Sequence, residues 1–146
     1  MNTPRIVLDS SVFVSAFLAK TGAAARVLDL ALTESVYLSV SEAIIAETRN
    51  VLLTYERIRQ RYTYTDDDVE GFCARLGQAF TLLTAFPSIS GVCRDPNDDM
   101  VLACAMAAEA QYLVTRDKDL LVLQQYEGIA LVTPEAFLEW LRSTLP

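Results

Sequence analysis

The sequence predicts an α/β fold: a three-layer α/β/α sandwich around a short, mostly parallel sheet of four or five strands. Three observations lead there. Short β-branched runs alternate with helical segments along the whole chain. Those runs are apolar nearly throughout, which marks parallel strands covered on both faces. No linker, charge block or internal repeat divides the 146 residues, so residues 1–146 read as one domain with its own core.

The elements follow in order. Arg5–Leu8 is a short apolar strand that ends at Asp9. Ser11–Ala19 and Ala23–Thr33 read as helices, separated by Lys20-Thr21-Gly22. Val36–Val40 is β-branched and aromatic, a buried strand. Ser41 then caps a helix running to about Leu53, and a charged helical stretch continues to Tyr62. Thr65 caps the next helix, whose opening Asp66-Asp67-Asp68 complements the helix dipole; it is expected to end near Leu82. Pro87, Ser88, Ser90 and Gly91 mark a loop. Pro96, behind Asp95, occupies the first position of another helix. Tyr112–Thr115 and Ile129–Val132 are strands, and Thr133-Pro134-Glu135 opens a terminal amphipathic helix with Phe137, Leu138 and Leu141 as its apolar stripe.

Composition excludes several classes. Hydrophobic residues make up 52% of the chain, which argues against disorder. Charges interrupt every apolar run before the ~20 residues that a bilayer requires, and Asp9 breaks any signal-peptide layout. The expectation is a cytoplasmic protein without a membrane partner. Cys73, Cys93 and Cys104 are odd in number and lack CxxC spacing, so they read as buried free thiols. The chain has no histidine, which removes histidine triads and most catalytic zinc sites. The net charge of −7 excludes a polycationic surface that would collect nucleic acid in bulk.

The carboxylates are the chemically suggestive residues. Asp9 sits directly behind a buried strand, either as a helix cap or as a ligand. Ile44, Glu47, Thr48 and Val51 share one helical face, so Glu47 falls on an apolar stripe and needs a cation or a strong donor unless it lies at the stripe's edge. In Arg94-Asp95-Pro96-Asn97-Asp98-Asp99, Asp95 is placed as an N-cap and Asp98 for a reciprocal capping contact. Asp99 is in line with Leu102, Ala103 and Met106, on the buried face. Asp117 and Asp119 follow the Tyr112–Thr115 strand; one of the two suits a cap.

Carboxylates converging on one sheet edge repel each other, and a hard divalent cation removes the conflict. Oxygen ligands without His or Cys select Mg²⁺ or Mn²⁺, ions that activate water and clamp the oxygens of a phosphodiester. Asp9, Glu47, Asp99 and one of Asp117 and Asp119 are the candidate ligands, with Ser11, Thr115 and Asp98 beside them as supporting groups. Ser10 and Ser11 serve equally well as helix caps. The segment from Arg49 to Tyr64 interleaves Arg49, Arg57, Arg59 and Arg61 with tyrosines, which suits single-stranded RNA. It equally suits a solvated helix or a docking face.

Taken together, these residues resemble one family, the PIN-domain nucleases, and among them the toxins of prokaryotic toxin–antitoxin pairs. The opening Ile6-Val7-Leu8-Asp9-Ser10-Ser11 is similar to the family's first strand and metal-binding Asp, with Ser11 where relatives often carry Asn. The helix after Ser41 resembles the one that carries an acidic residue, here Glu47. Asp99 through Asp117 resembles the Asp-x-x-aliphatic-Ala helix, the strand and the Thr-x-Asp motif, here Thr115 and Asp117. The resemblance implies a PIN-like fold and a Mg²⁺- or Mn²⁺-dependent endoribonuclease, with Asp9, Glu47, Asp99 and Asp117 as metal ligands and Asp119 beside them. It further implies a homodimer or higher homo-oligomer, and a cognate antitoxin protein as partner. The rival reading is a non-cleaving regulatory or RNA- or protein-binding acidic α/β module. An aspartyl-phosphatase is disfavoured, because Ser11 occupies the second place of the usual Asp-x-Asp.

Overall fold

The computed structural model describes residues 3–144; the expected ends of the domain, residues 1–2 and 145–146, lie outside the described residues. The chain folds as β1 (Arg5–Leu8), α1 (Ser10–Leu18), α2 (Ala23–Leu32), β2 (Tyr37–Ser41), α3 (Glu42–Thr54), α4 (Glu56–Arg61), α5 (Asp66–Ala79) and β3 (Thr81–Leu83). It continues through α6 (Pro96–Ala107), β4 (Tyr112–Val114), α7 (Lys118–Leu121), β5 (Gln125–Tyr126), β6 (Ile129–Val132) and α8 (Pro134–Thr144). The α/β/α expectation holds, with one sheet of six strands in the order β3-β2-β1-β4-β6-β5.

The two additional strands have local causes. The helix expected to reach Leu82 stops at Ala79, because Thr81–Leu83 pairs in parallel with Ser39–Ser41. Backbone hydrogen bonds along the free edge of β2 outweigh the helical pattern of a three-residue stretch. β5 returns antiparallel on β6 through a two-residue hairpin. Glu127 and Gly128 both take positive φ there, at 48° and 83°. That is the turn geometry that Asn-Gly normally announces, and Glu-Gly does not advertise it.

The capping signals act as read. The Ser41 hydroxyl accepts from the Ile44 amide, Thr65 and Asp68 form a reciprocal capping box, and Asp95 accepts from the Asn97 amide ahead of Pro96. Ile6, Val7 and Leu8 on β1 and Leu113 and Val114 on β4 are almost wholly buried, as parallel central strands require. No single helix among the described residues is long and apolar enough to cross a membrane. The α1–α2 pair passes that test only jointly, is bent by 100°, and contributes its apolar side chains to the core.

The topology positions the site. From β1 the chain proceeds to β2 and β3 on one side, then crosses back through α6 to β4 on the other side of β1. β1 and β4 therefore flank the point where the winding reverses, and the crevice at their C-terminal ends is where open α/β sheets bind ligands. Asp9 leaves β1 into that crevice, and Thr115-Arg116-Asp117 leaves β4 into it.

Candidate metal centre at the sheet edge

Asp9 takes the capping role that its position allowed. It caps α1, with Oδ1 accepting from the Ser10 amide at 2.7 Å. Its other oxygen, Oδ2, accepts from the Ser11 hydroxyl at 2.9 Å and from the Thr115 hydroxyl at 2.8 Å. The side chain is only 4% exposed. Thr115 and Ser11 carry the network onward: Thr115 Oγ1 accepts from the Asp117 amide, and Ser11 Oγ accepts from the Arg116 amide, each at 3.0 Å. Strand β1 and the loop after β4 are thus tied together through hydroxyls, which orient the carboxylates without adding charge.

The structure gives Asp98 and Asp99 different surroundings. Both are buried. Asp99, expected to be a ligand, accepts the Cys93 amide through Oδ1 at 2.7 Å, so it anchors the loop ahead of α6. Asp98, expected to complete a cap, makes no such contact; its Oδ2 is buried with no hydrogen-bond partner. Oxygens of Asp98, Asp117 and Asp119 all lie within 4.8 Å of one another. Helical phase alone could not separate the two neighbours. They point about 100° apart, and the loop folded over α6 gives each a different buried environment.

Glu47 takes the edge position that its spacing left open. Ile44, Thr48 and Leu52 are buried, while Glu47 lies exposed at the rim of their stripe. Its carboxyl is still pushed upward, first by partial desolvation and then by the charge of Asp9, with Asp95 and Asp117 adding to it and Ser10 partly offsetting it by hydrogen bonding. Glu47 therefore faces the same acidic edge, from the β2 side. Asp117 caps α7 by accepting from the Asp119 amide at 2.9 Å, which leaves Asp119 as the second, uncapping acid.

Electrostatics single out Asp98. Burial first, and then the charges of Asp117, Asp9 and Asp95, raise its pKa to about 7. A carboxyl that is buried, unpartnered and crowded by like charge is an expensive arrangement unless a cation joins it. The donor set is all carboxylate oxygen and hydroxyl, which matches Mg²⁺ or Mn²⁺ and not zinc. The residues present therefore fit a hard divalent ion. Cys93 lies nearby, but burial and its hydrogen bond to Asp99 push its thiol up to about 12, so it offers no thiolate.

The arginine-rich segment divides. Arg49 forms a two-pronged pair with Glu70 at 2.6 Å, and Arg59 bonds Asp66 at 2.8 Å and the Leu52 carbonyl while stacking over Tyr64. Those two cations are committed to holding α3, α4 and α5 together. Arg57 and Arg61 are exposed and have no acidic partner among the described residues, although Arg61 lies over the Tyr62 ring.

The sequence matches the PIN domain family over residues 5–119, a stretch that runs from β1 to Asp119 and so spans every carboxylate of this edge. The chain belongs to the PIN domain family. The members of that family are generally nucleases. Among curated proteins, an uncharacterized protein of Methanocaldococcus jannaschii, MJ1680, is 26% identical over 152 residues, covering 92% of this chain and 90% of its own. PAE2754 from Pyrobaculum aerophilum superposes with a TM-score of 0.60 at 19% identity, over 97% of this chain and 91% of that one. VapBC2 from Rickettsia felis, crystallised bound to a DNA fragment from its promoter, gives 0.57 at 14% identity, over 87% and 96%. At such identities the two structures establish the shared PIN fold. Glu135 and all of α8 fall outside the matched residues.

Proposed function

We propose that this PIN domain is a metal-dependent endoribonuclease and the toxin of a toxin–antitoxin pair. The single observation that carries the reading is the buried Asp98, whose Oδ2 has no hydrogen-bond partner and whose carboxylate groups with those of Asp117 and Asp119. Asp98, Asp117 and Asp119 would hold Mg²⁺ or Mn²⁺, with Asp9 and Glu47 bordering them. When bound, such an ion supplies activation of water and charge neutralisation at a phosphodiester.

The chain's own residues do the rest. Ser11 and Thr115 fix Asp9 Oδ2 from two sides, so that carboxylate cannot swing away. The Asp117 amide is held by Thr115 and the Asp119 amide by Asp117, which keeps both acids on one turn. Asp98 rests protonated below about pH 7 and must lose that proton to act as a ligand. Arg57 and Arg61 supply local positive charge for a phosphate backbone on a chain whose net charge repels one.

The partners in this reading are an RNA substrate, a cognate antitoxin protein and further copies of the chain in a homodimer or larger assembly. The likeness to VapBC2 supports the antitoxin, and the family supports the nuclease. The test is RNA cleavage by the wild type, Asp9→Asn and Asp98→Asn, each with Mn²⁺ and with EDTA. Cleavage only by the wild type with Mn²⁺ supports the proposal. Indifference to both metal and mutation would sink it, and binding of RNA without any cleavage would favour the non-cleaving module.

A further inference from the structure

Arg116 sits between Thr115 and Asp117, within the loop that leaves β4 for the acidic edge. Its backbone amide donates to Ser11 Oγ at 3.0 Å, and Ser11 in turn donates to Asp9. Its guanidinium grips Glu135 of α8 with both prongs, at 3.0 and 2.9 Å. A planar two-pronged pair fixes direction as well as distance, which a single lysine contact does not.

The element that carries Glu135 is well anchored. Thr133 caps α8 through the Ala136 amide. Phe137, fully buried, packs edge-on against Tyr112 of β4 at 5.4 Å, and Trp140 lies 4.5 Å from the same ring. The helix is therefore seated on the strand that feeds the Thr115–Asp117 loop. A side chain projecting from a seated helix to a loop residue restrains that loop.

We propose that Glu135 is a positioning residue for the acidic edge, holding Arg116 and through it the Thr115–Asp117 loop. Glu135 lies beyond the family-matched stretch, so this chain completes its site from its C-terminal helix. The inference rests on reading the edge as a ribonuclease site. Both prongs of the guanidinium are engaged by Glu135, which fixes the side chain and with it the loop. The Arg142–Glu139 pair, at 3.0 Å on the same helix, is of similar kind but reaches no loop, and it serves as the internal control.

The experiment compares wild type, Glu135→Gln, Arg116→Lys, the double variant Arg116→Lys with Glu135→Gln, and Glu139→Gln. RNA cleavage with Mn²⁺ and amide hydrogen exchange without metal are both measured. Glu135→Gln should lower kcat about 10-fold, the lower end for groups that orient ligands, with KM little changed. Arg116→Lys should match it, and the double variant should be no worse than either, because the two act as one unit. The Asp117 and Asp119 amides should exchange about 10-fold faster in all three, while Glu139→Gln stays at wild-type values. Activity retained in Arg116→Lys, or raised in Glu135→Gln, would overturn the proposal and assign Arg116 to the RNA directly. Unchanged exchange in Glu135→Gln would overturn it as well. If the wild type itself fails to cleave, the ribonuclease reading fails, and amide exchange still decides the positioning role.

Discussion

Replacing Asp98 with Asn should make the metal-free protein more stable at pH 8 while removing its affinity for Mn²⁺. Asp98 has a pKa near 7 in the folded chain, against an ordinary 3.8. Between those values the folded state binds the proton and the unfolded state does not. Stability from this group is thus complete at low pH and is lost as pH rises through 7. A difference of about 3 units corresponds to a ceiling of about 4 kcal/mol at 1.36 kcal/mol per unit. Asp117 and Asp9 stay charged beside the new amide and can relax only in part, so about 2 kcal/mol is the expected gain. For a chain of this size that is a rise of roughly 4–8 °C in melting temperature. Asn also imitates the protonated acid, since its amide can donate to Asp117. Thermal melts in EDTA at pH 5.5 and 8.0, with Mn²⁺ titration calorimetry, read both effects. The gain should be full at pH 8.0 and about half as large at pH 5.5, which lies midway between the unfolded and folded values. A variant that is less stable than wild type at pH 8.0, or that still binds Mn²⁺ normally, would refute the reasoning.

Thr115→Val removes a buried hydroxyl that serves Asp9 and the Asp117 amide together, at 2.8 and 3.0 Å; about 1–3 kcal/mol of stability should go in denaturant melts, and cleavage should fall with it. Asp99→Ala strips the Cys93 amide of its acceptor, so the loop ahead of α6 should become protease-sensitive, with loss of about 1–2 kcal/mol but retained Mn²⁺ binding. Phe137→Ala, emptying a fully buried site against Tyr112, should cost about 3–5 kcal/mol by urea unfolding. Arg57→Gln with Arg61→Gln should weaken RNA binding equally for all sequences and flatten the log–log salt slope by up to about 1.4, as two lost single-strand phosphate contacts require.

Much of the fold was legible because its signals are local. Ser41, Thr65 and Asp95 each announce a helix start by a side chain that bonds its own backbone. The central strands announce themselves by unbroken apolar runs such as Ile6-Val7-Leu8. The edge strands were hidden. β3 is three residues long and exists through its pairing with β2, and β5 depends on a hairpin formed by an unusual Glu-Gly turn. Neither is written in periodicity.

The acidic edge was legible as a group, since strand ends and helix starts bring Asp9, Asp98, Asp99 and Asp117 to one place. The division of labour was not. Asp98 and Asp99 are told apart by what packs over them, and the contact that distinguishes Asp99 comes from the Cys93 amide in a loop without any regular pattern. The depth of Glu47 stayed open because an i, i+3, i+4, i+7 pattern cannot tell the middle of a stripe from its rim. Glu135 carried no signal at all, for in sequence it is an ordinary first-turn acid of an amphipathic helix.

The most direct test of the central claim is an anomalous-scattering map from a crystal soaked in Mn²⁺. The account predicts a peak enclosed by Asp98, Asp117 and Asp119 and bordered by Asp9, with Asp99 still turned to the Cys93 amide. A peak on Asp99 with Asp98 turned away, or no peak at the end of β1 and β4, would contradict it.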